Sequence, residues 1–246
     1  MTSRVALVTG GTGGIGTEIC KALANKGYRV VASWLPGVDD GEGWQTKLKE
    51  EGFDFAIAGG DVSNFESAAA MVKEAETKVG PIEILVNCAG ITKDGFMHKM
   101  KHEQWDAVLH VNLDSVFNVT RQVITGMRNQ GFGRIINISS VNGQKGQIGQ
   151  TNYSAAKAGM HGFTMALAQE SARKGITVNT VSPGYIATSM VAAMGEKVVN
   201  QMIAEIPVGR LGKAEEIARV VGFLAADESG FITGANIAIN GGMHMG

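Results

Sequence analysis

Short runs of apolar residues alternate with longer stretches of mixed polarity along the whole of the chain. Seven of the runs have the length and β-branched content of buried strands, at 4–10, 28–34, 53–59, 83–90, 133–140, 176–184 and 236–241. Five of the longer stretches repeat apolar residues at helical spacing, at 15–27, 63–80, 102–129, 151–174 and 213–226. Buried strands that alternate with helices predict an α/β fold, with a doubly wound parallel sheet of about seven strands and helices on both faces.

The predicted helices are bounded by residues that are typical of helix termini. Glycines stand where a helix should stop before the next strand, at 27, 52, 80 and 175. Ser63 and Glu66 have the spacing of a capping box, which predicts the start of the helix at 63–80. Because no repeat, linker or composition break interrupts the alternation, we expect a single domain over residues 1–246.

Charge and composition exclude several classes of protein. Lysine and arginine number 22 against 23 aspartates and glutamates, a net charge of −1 without any block of like charges. Binding to nucleic acid or to an anionic membrane needs a basic surplus, so we expect neither partner. No apolar stretch reaches the about 18 residues of a membrane span and no leader precedes the first strand, so we expect a cytoplasmic protein. Cys20 and Cys88 lack the spacing of a metal site or disulfide framework, and we expect two buried free thiols and no metal.

The 34 glycines lack the Gly-X-Y period of collagen, and several of them cluster after the first strand. The loop there contributes Gly10, Thr12, Gly13, Gly14, Ile15 and Gly16, with a spacing that differs from the G-x-G-x-x-G fingerprint. Its backbone N–H groups and the N-terminus of the following helix both favour negative charge, as a pyrophosphate site requires. A tight turn between strand and helix without a ligand is the alternative.

Small and polar residues also follow the third and fourth strands, at the edge where doubly wound sheets bind their ligands. They are Gly60, Asp61 and Val62 after the third strand, and Asn87, Cys88, Ala89 and Gly90 after the fourth. Asp61 would accept a hydrogen bond from an adenine amino group, or it would merely cap the helix that follows. The residues after the fourth strand would let a nucleotide approach the backbone closely.

Four residues form a candidate catalytic set. Tyr153 and Lys157 stand four apart in a predicted helix and therefore share one face. A nearby ammonium favours the phenolate, which lowers the pKa of a tyrosine from about 10 toward the range of a general acid–base. Ser140, at the end of the fifth strand, would donate a hydrogen bond to a substrate oxygen that gains negative charge. Asn112 would hold a water between Lys157 and solvent.

Taken together, these motifs resemble the short-chain dehydrogenase/reductase family over essentially the whole chain. The matching pieces are TGGTGGIG, NCAG, Asn112, Ser140, Tyr153-x₃-Lys157, Pro183-Gly184 with Thr188, and NGG at 240–242. The resemblance implies a Rossmann-like fold and a nicotinamide cofactor, with Tyr153 as proton donor and Lys157 binding the nicotinamide ribose. It implies further cofactor contacts at Leu35, Asp40, Pro183, Gly184, Ile186 and Thr188. The family usually has Asn where this chain has Cys88, and this departure affects no catalytic group.

The loops around the candidate site resemble those of the family's bacterial acetoacetyl-CoA reductases, which make (R)-3-hydroxybutyryl-CoA for polyhydroxybutyrate synthesis. This resemblance implies an acyl-CoA substrate that contacts Asp94, Ser140, Gln147, Gln150, Tyr153, Gly184 and Tyr185. Solvated loop polarity is the alternative explanation of these polar residues. The 3-oxoacyl-[acyl-carrier-protein] reductases are a second candidate group, but the stretch at 127–134 has few charges for an acidic carrier. A non-catalytic dinucleotide sensor is a remote alternative, because the Ser140, Tyr153 and Lys157 set is intact.

The choice of cofactor is predicted from the loop after the second strand. Residues 33–44 carry no basic side chain but contain Asp39, Asp40 and Glu42, which would repel the 2′-phosphate of NADPH. Gly13 stands where many relatives that use NADPH carry a basic residue. We therefore expect use of NADH or of both cofactors, with use of NADPH alone as the alternative.

Two further expectations concern movement and assembly. The methionine-rich stretch at 188–208 would form a substrate lid, or would simply pack in the core. The family resemblance implies a homotetramer, with subunit faces on the helices at 102–129 and 151–174 and at Gln104 and Trp105.

Overall fold

The computed structural model describes residues 3–188, 191 and 195–245, and it contains a parallel sheet of seven strands in the order β3-β2-β1-β4-β5-β6-β7. The strands are β1 (Val5–Val8), β2 (Arg29–Trp34), β3 (Ala56–Gly59), β4 (Ile84–Asn87), β5 (Gly133–Ile138), β6 (Ile176–Pro183) and β7 (Asn236–Ile239). Most of them end before the small and polar residues that close each apolar run. Those residues therefore form loops at the carboxyl edge of the sheet.

Helices cover both faces of the sheet. They are α1 (Gly14–Asn25), α2 (Gly41–Glu50), α3 (Phe65–Val79), α4 (His102–Leu109), α5 (Ser115–Gln130), α6 (Asn142–Lys145), α7 (Thr151–Ser171), α8 (Glu196–Ala204) and α9 (Ala214–Leu224). Ala6 and Val8 of β1 belong to a core with α1 and α9, whereas Val5 and Leu7 belong to a core with α3 and α5. Because successive side chains of a strand point to opposite faces, this division confirms the predicted doubly wound α/β fold.

The order of the strands places a crevice next to β1. This strand pairs with β2 on one side and with β4 on the other, so the direction of winding reverses between β1 and β4. In open α/β sheets, a ligand binds at such a reversal, outside the carboxyl ends of the strands. The loops after β1 and β4 are therefore where the site is expected.

The helix predicted at 102–129 is interrupted. Residues His110–Asp114 form a turn of π-helix between α4 and α5, and Asn112 lies in that turn. Extra turns of this kind are frequent at functional sites, because they reorient a side chain within a continuous helix. The sequence pattern could not reveal it, since apolar residues continue at helical spacing through the turn.

The capping box predicted at Ser63 and Glu66 is wrong. Helix α3 begins at Phe65, and its N-cap is Asn64, whose side-chain oxygen accepts a hydrogen bond from the backbone N–H of Ser67 at 2.8 Å. Ser63 instead donates through its hydroxyl to Oδ1 of Asp61 at 2.6 Å. Asn caps helices as well as Ser does, so the two residues were competing for the same position.

Among the described residues, α6 and α8 were not predicted, and α2 was indicated only by its stop at Gly52, without a predicted range. Helix α2 begins after Asp40 and carries mostly polar side chains, so it lacks the strong apolar stripe of the other helices. The glycines predicted as helix stops are confirmed in their conformation, because residues 27, 52, 80 and 175 all have positive φ, between 71° and 108°. Side chains other than hydrogen rarely tolerate that region.

Cys20 is fully buried, as predicted, whereas Cys88 is partly exposed beside the crevice. The prediction of two buried thiols is therefore only half correct. None of the helices in the described ranges is long and apolar enough to cross a membrane. Within those same ranges, the His, Cys, Asp and Glu side chains form no cluster that could hold a metal ion.

Candidate active site

The glycine-rich loop after β1 is shaped by close backbone contacts on one side and open space on the other. A Cβ on Gly16 would lie 2.1 Å from the carbonyl oxygen of Gly10, and one on Gly11 would lie 2.7 Å from Ala32. By contrast, a Cβ on Gly13 or Gly14 would have no heavy atom nearer than 3.4 Å. Gly13 is the N-cap of α1 and provides no side-chain cap. The helix N-terminus is therefore exposed to an anionic ligand, and the loop fits a pyrophosphate.

Thr9 ties the end of β1 to the end of β4. Its hydroxyl oxygen accepts hydrogen bonds from the backbone N–H groups of Cys88 at 2.9 Å and Ala89 at 3.1 Å. Gly10, with φ of 60°, brings its Cα so near Ala89 that a Cβ there would lie 2.9 Å away. The two loops predicted to bind the cofactor are thus joined into one wall. Thr9 was missed as a site residue, although its place directly before the glycine loop was an indication.

Asp61 lies beside β3 with its carboxylate facing its own loop. Oδ1 accepts hydrogen bonds from the backbone N–H and from the hydroxyl of Ser63, at 2.9 and 2.6 Å. The backbone N–H of Asp61 donates to the hydroxyl oxygen of Ser67 through a hydrogen bond of 2.9 Å. Since Asn64 caps α3, the alternative that Asp61 merely caps this helix is wrong. Gly60 and Val62 flank it in the same loop.

The loop after β2 is braced by its own carboxylates. Oδ2 of Asp39 accepts a hydrogen bond from the backbone N–H of Leu35 at 2.9 Å, and Oδ1 of Asp40 accepts one from Gly43 at 2.9 Å. Asp40 is the N-cap of α2, which was not predicted. A Cβ on Gly41 would lie 2.4 Å from the ring of Trp34, so the ring packs directly under the start of this helix. Both carboxylates are held at the end of β2.

Tyr153 lies in the first turn of α7, half-buried beside the end of β5. Burial raises the pKa of Tyr153 to about 12, and a hydrogen bond with the hydroxyl of Ser140 opposes part of this rise. The expected net lowering of the pKa of Tyr153 is therefore wrong, because desolvation is the dominant effect and raises it. A phenol with this pKa carries its proton at neutral pH.

Lys157 is buried under the same turn of α7, with 3% of its surface exposed. Its ammonium group donates to the carbonyl oxygen of Ile138 at 2.8 Å and lies 5.5 Å from the centre of the Tyr153 ring. Desolvation lowers the pKa of Lys157 to about 8. Burial of its thiol group raises the pKa of Cys88 to about 11, and the positive charge of Lys157 opposes part of this rise. Lys157 thus sits between the tyrosine and the loop after β4.

Asn112 is fully buried in the π-turn between α4 and α5. Its side-chain nitrogen donates to the carbonyl oxygens of Ile91 and Val108, both at 2.9 Å. Its oxygen Oδ1 has no hydrogen-bond partner among the described residues. A buried polar atom left in this way is expected to serve a water or a ligand. Asn112 and Lys157 both lie against Gly90, and Lys157 and Ser140 lie beside Tyr153, so the four predicted catalytic residues are brought together at one end of the crevice.

The predicted substrate residues Asp94 and Gln150 contact each other. Nε2 of Gln150 donates to Oδ2 of Asp94 at 2.9 Å, and its Oε1 accepts from Nδ2 of Asn142 at 2.9 Å. The backbone N–H of Asn142 in turn donates to the hydroxyl of Ser140 at 3.1 Å. A chain of hydrogen bonds thus links the mouth of the site to Ser140. Gln147 stands apart from it, and its Oε1 accepts from Lys145 at 3.4 Å.

The loop after β6 carries the remaining predicted contacts. Tyr185 lines a cavity of about 140 Å³ together with Gly184, Ile186 and residues from the loops before α9 and after β7. Burial raises the pKa of Tyr185 above its ordinary value. Pro183 ends β6, and the side chain of Thr188 lies 3.4 Å from a Cβ built on Gly14, so this loop faces the glycine-rich loop after β1. Of the predicted lid at 188–208, residues 189, 190 and 192–194 lie outside the described residues, and α8 covers Glu196–Ala204.

The chain is similar to several known proteins. The pattern of the short chain dehydrogenase family matches residues 4–199, which is more than half of the chain. An acetoacetyl-CoA reductase of Allochromatium vinosum is 59% identical over 244 residues, which cover 99% of each chain. An acetoacetyl-CoA reductase of Cupriavidus necator is 56% identical over 246 residues and 100% of each chain. A 3-oxoacyl-[acyl-carrier-protein] reductase of Pseudomonas aeruginosa is 44% identical over 245 residues, which cover 100% of this chain and 99% of that protein.

Proposed function

The chain belongs to the short chain dehydrogenase family, and from this premise we propose that it reduces acetoacetyl-CoA to (R)-3-hydroxybutyryl-CoA with a hydride from a nicotinamide nucleotide. The observation that carries the proposal is that Tyr153 stands beside Ser140, with the ammonium group of the buried Lys157 5.5 Å from the centre of its ring. Reduction of a ketone needs one proton on the new hydroxyl oxygen. Tyr153 has that proton at neutral pH, and it stands next to the crevice.

The residues around the crevice fit a nicotinamide nucleotide. The open faces of Gly13 and Gly14 and the uncapped N-terminus of α1 suit its pyrophosphate. The wall joined by Thr9 suits the close approach of a sugar and a base to Ala89 and Gly90. When bound, the reduced nicotinamide supplies the hydride that adds to the ketone carbon.

Each catalytic side chain would have a distinct role. Ser140 would hold the ketone oxygen by a hydrogen bond, and Tyr153 would donate the phenolic proton to that oxygen as negative charge develops. Lys157 would bind the ribose hydroxyls and keep a positive charge near the phenolate left behind, which stabilises it. Asn112 would hold a water by its free Oδ1, so that the proton on Tyr153 is replaced from solvent.

An acyl-CoA thioester is supported by the polar mouth of the site. Gln150 and Asp94 are paired there, and one N–H of the amide remains for a thioester or pantetheine carbonyl. Gly95 donates its backbone N–H to the carbonyl of Gly149 at 2.8 Å, which joins the two loops that would flank the substrate. Gln147, Gly184 and Tyr185 would complete these contacts.

The proposal favours a CoA thioester over a carrier-protein thioester because of the segment 127–134. Its two arginines are engaged within the chain. Arg128 donates to the carbonyl oxygen of Glu170 at 3.2 Å, and Arg134 is 4% exposed and bonded to four backbone carbonyl groups. An acidic carrier protein would need free basic side chains on such a surface. The 3-oxoacyl-[acyl-carrier-protein] reductases remain the second candidate group.

The cofactor is proposed to be NADH, or both NADH and NADPH. Asp39 and Asp40 are fixed at the end of β2, where the adenine ribose would bind, and their charges oppose a 2′-phosphate. We also propose a cytoplasmic homotetramer that acts in polyhydroxybutyrate synthesis, a single domain over 1–246, and a substrate lid around 188–208.

The test is the oxidation of reduced cofactor, followed at 340 nm, with acetoacetyl-CoA and with an acetoacetyl carrier-protein thioester. Each substrate is paired with NADH and with NADPH. We expect a higher kcat/KM with acetoacetyl-CoA than with the carrier thioester. A preference for the carrier thioester would support the second candidate group, and an inactive protein that still binds NADH would support a dinucleotide sensor.

A further inference from the structure

His161 lies on the face of α7 that carries Lys157, four residues further along, and no step of the proposed reaction uses it. Its ring nitrogen Nε2 is 3.0 Å from the hydroxyl oxygen of Ser139 and 3.5 Å from that of Ser182. The imidazole is half-buried between α7 and the sheet, and burial lowers its pKa. A buried histidine between two hydroxyl groups is held in a defined orientation.

The neighbouring hydrogen bonds decide which atom of the ring carries a proton. Ser139 donates its only hydroxyl proton to the carbonyl oxygen of Lys157 at 2.8 Å. Ser182 donates its own proton to Oδ1 of Asn236, at 2.7 Å. Neither hydroxyl has a second proton to give, so Nε2 of His161 must be the donor and Ser139 the acceptor. A neutral ring then has its proton on Nε2.

Lys157 is hydrogen-bonded to the end of β5 through two of its groups, the side-chain ammonium and the backbone carbonyl. Its ammonium group donates to the carbonyl of Ile138, and its own carbonyl accepts from Ser139. The next residue of the same strand end is Ser140, whose hydroxyl group lies beside Tyr153 and opposes part of the rise in its pKa. The bond from Ser139 to Lys157 therefore sets how α7 sits against the residue that would hold the substrate oxygen.

We propose that Ser139 and His161 are positioning residues, which fix the turn of α7 bearing Tyr153 and Lys157 relative to Ser140. His161 orients the hydroxyl of Ser139, and Ser139 holds the carbonyl of Lys157. This inference rests on the proposed function only in that Ser140, Tyr153 and Lys157 carry the reaction. Small displacements of reacting groups are costly, since a shift of about 1 Å can lower a rate roughly a hundredfold.

The kinetic test compares Ser139→Ala, His161→Leu, the double variant and His161→Gln. Glutamine can place its amide N–H where Nε2–H stands, so it keeps the donor. We expect the two removals to lower kcat about tenfold or more, while Kd for NADH, measured by fluorescence, changes less than about twofold. The double variant should be no slower than Ser139→Ala alone, because both changes remove the same bond. His161→Gln should recover kcat to within about threefold of the unmodified protein.

Thr164→Val is the matched control for a purely structural effect. Thr164 is a buried hydroxyl one turn further along α7, and it accepts hydrogen bonds from Asn137 at 2.9 Å and from Thr180 at 2.8 Å. It has no bond to Lys157, so this change should lower the thermal midpoint without changing kcat of the folded protein. Equal losses of kcat in Thr164→Val and His161→Leu would overturn the proposal, as would additive losses in the double variant.

A second measurement does not depend on turnover or on folding of a variant. The ¹⁵N chemical shifts of His161 in the unmodified protein should show a neutral ring with its proton on Nε2 at pH 7. A ring with its proton on Nδ1 would overturn the hydrogen-bond pattern and the proposal. If acetoacetyl-CoA is not the substrate, the variants are measured with whichever 3-oxoacyl thioester is turned over. The test of Ser139 and His161 therefore does not depend on whether the proposed substrate is correct.

Discussion

Gly90 lies directly against the side chain of Asn112, and a Cβ on Gly90 would come within 2.6 Å of its Oδ1. The same Cβ would be 3.5 Å from the ammonium nitrogen of Lys157. The loop after β4 therefore approaches the proposed proton path so closely that only a hydrogen atom fits. Because φ of Gly90 is not in the left-handed region, the need for glycine here comes from space alone.

Replacing Gly90 by alanine should impair catalysis more than folding. The added methyl group must displace Oδ1 of Asn112, so we expect kcat to fall by roughly tenfold to a hundredfold. The measurement is steady-state reduction of acetoacetyl-CoA. In an Asn112→Ala background, Gly90→Ala should lower kcat much less, because the amide group that it would displace is already absent.

Gly126→Ala is the control for this prediction, since a Cβ at that position of α5 would meet nothing within 4 Å. Alanine is a better helix former by about 1 kcal/mol, so its stability should rise slightly and kcat should stay the same. A Gly90→Ala variant with unchanged kcat would show that the contact with Asn112 has no part in turnover.

Tyr153→Phe should remove the proton donor while keeping the ring. We expect kcat to fall by roughly 10²–10⁴-fold, which is the usual contribution of a general acid. Binding of NADH, followed by fluorescence titration, should remain within about threefold, because the phenol is expected to contribute little to holding the nucleotide. Near-normal kcat in this variant would rule out Tyr153 as the acid.

Lys157 makes stability depend on pH in a defined direction. Its pKa of about 8 lies below the ordinary value of 10.5, so the folded protein binds fewer protons than the unfolded chain between these values. The free energy of unfolding therefore increases as pH rises through that window. The destabilisation by the buried ammonium group is greatest below pH 8. Lys157→Met removes this dependence and leaves Tyr153 and Cys88 in place.

The difference in the free energy of unfolding between the unmodified protein and Lys157→Met is the quantity to measure, by urea denaturation at fixed protein concentration. As pH rises from 7.5 to 9.5, the free energy of unfolding of the unmodified protein should increase by roughly 2 kcal/mol relative to that of Lys157→Met. A difference that is constant over this range would mean that the pKa of Lys157 is not lowered by burial.

Asp39 and Asp40 should control the choice between the two nucleotides by charge. Asparagine can accept the same backbone hydrogen bonds, and it caps helices as well as aspartate does, so the loop should keep its shape. The double change to Asn should raise kcat/KM with NADPH relative to NADH by about threefold to thirtyfold, since two exposed charges are lost. Parallel kinetics at low and high salt provide the check, because screening should shrink the difference.

The kinetics of the unmodified protein with the two nucleotides could contradict the proposed use of NADH. A kcat/KM at least about tenfold higher with NADPH than with NADH would show that the fixed carboxylates do not exclude a 2′-phosphate. An unchanged preference in the double Asn variant would locate selectivity outside this loop.

Several features could be predicted from the sequence because they depend on neighbours along the chain. The alternation of buried strands and amphipathic helices is local, and so is the spacing that puts Tyr153 and Lys157 on one face of α7. The glycine loop after β1 could be recognised for the same reason. Asn64 shows the limit of such patterns, since two adjacent residues were both suited to cap α3 and only packing selected one.

The tertiary structure decided what the sequence could not, namely which distant side chains meet. Gln150 pairs with Asp94 across 56 residues, and Thr9 reaches Cys88 across 79 residues. The π-turn at Asn112 and the link from His161 to Ser139 depend on how helices pack on the sheet. Burial raised the pKa of Tyr153 and lowered that of Lys157, because desolvation outweighs the attraction that spacing alone suggested. The sequence by itself determined the fold and the chemical groups of the site, since these follow from local periodicity, and three-dimensional packing determined their contacts and their pKa values.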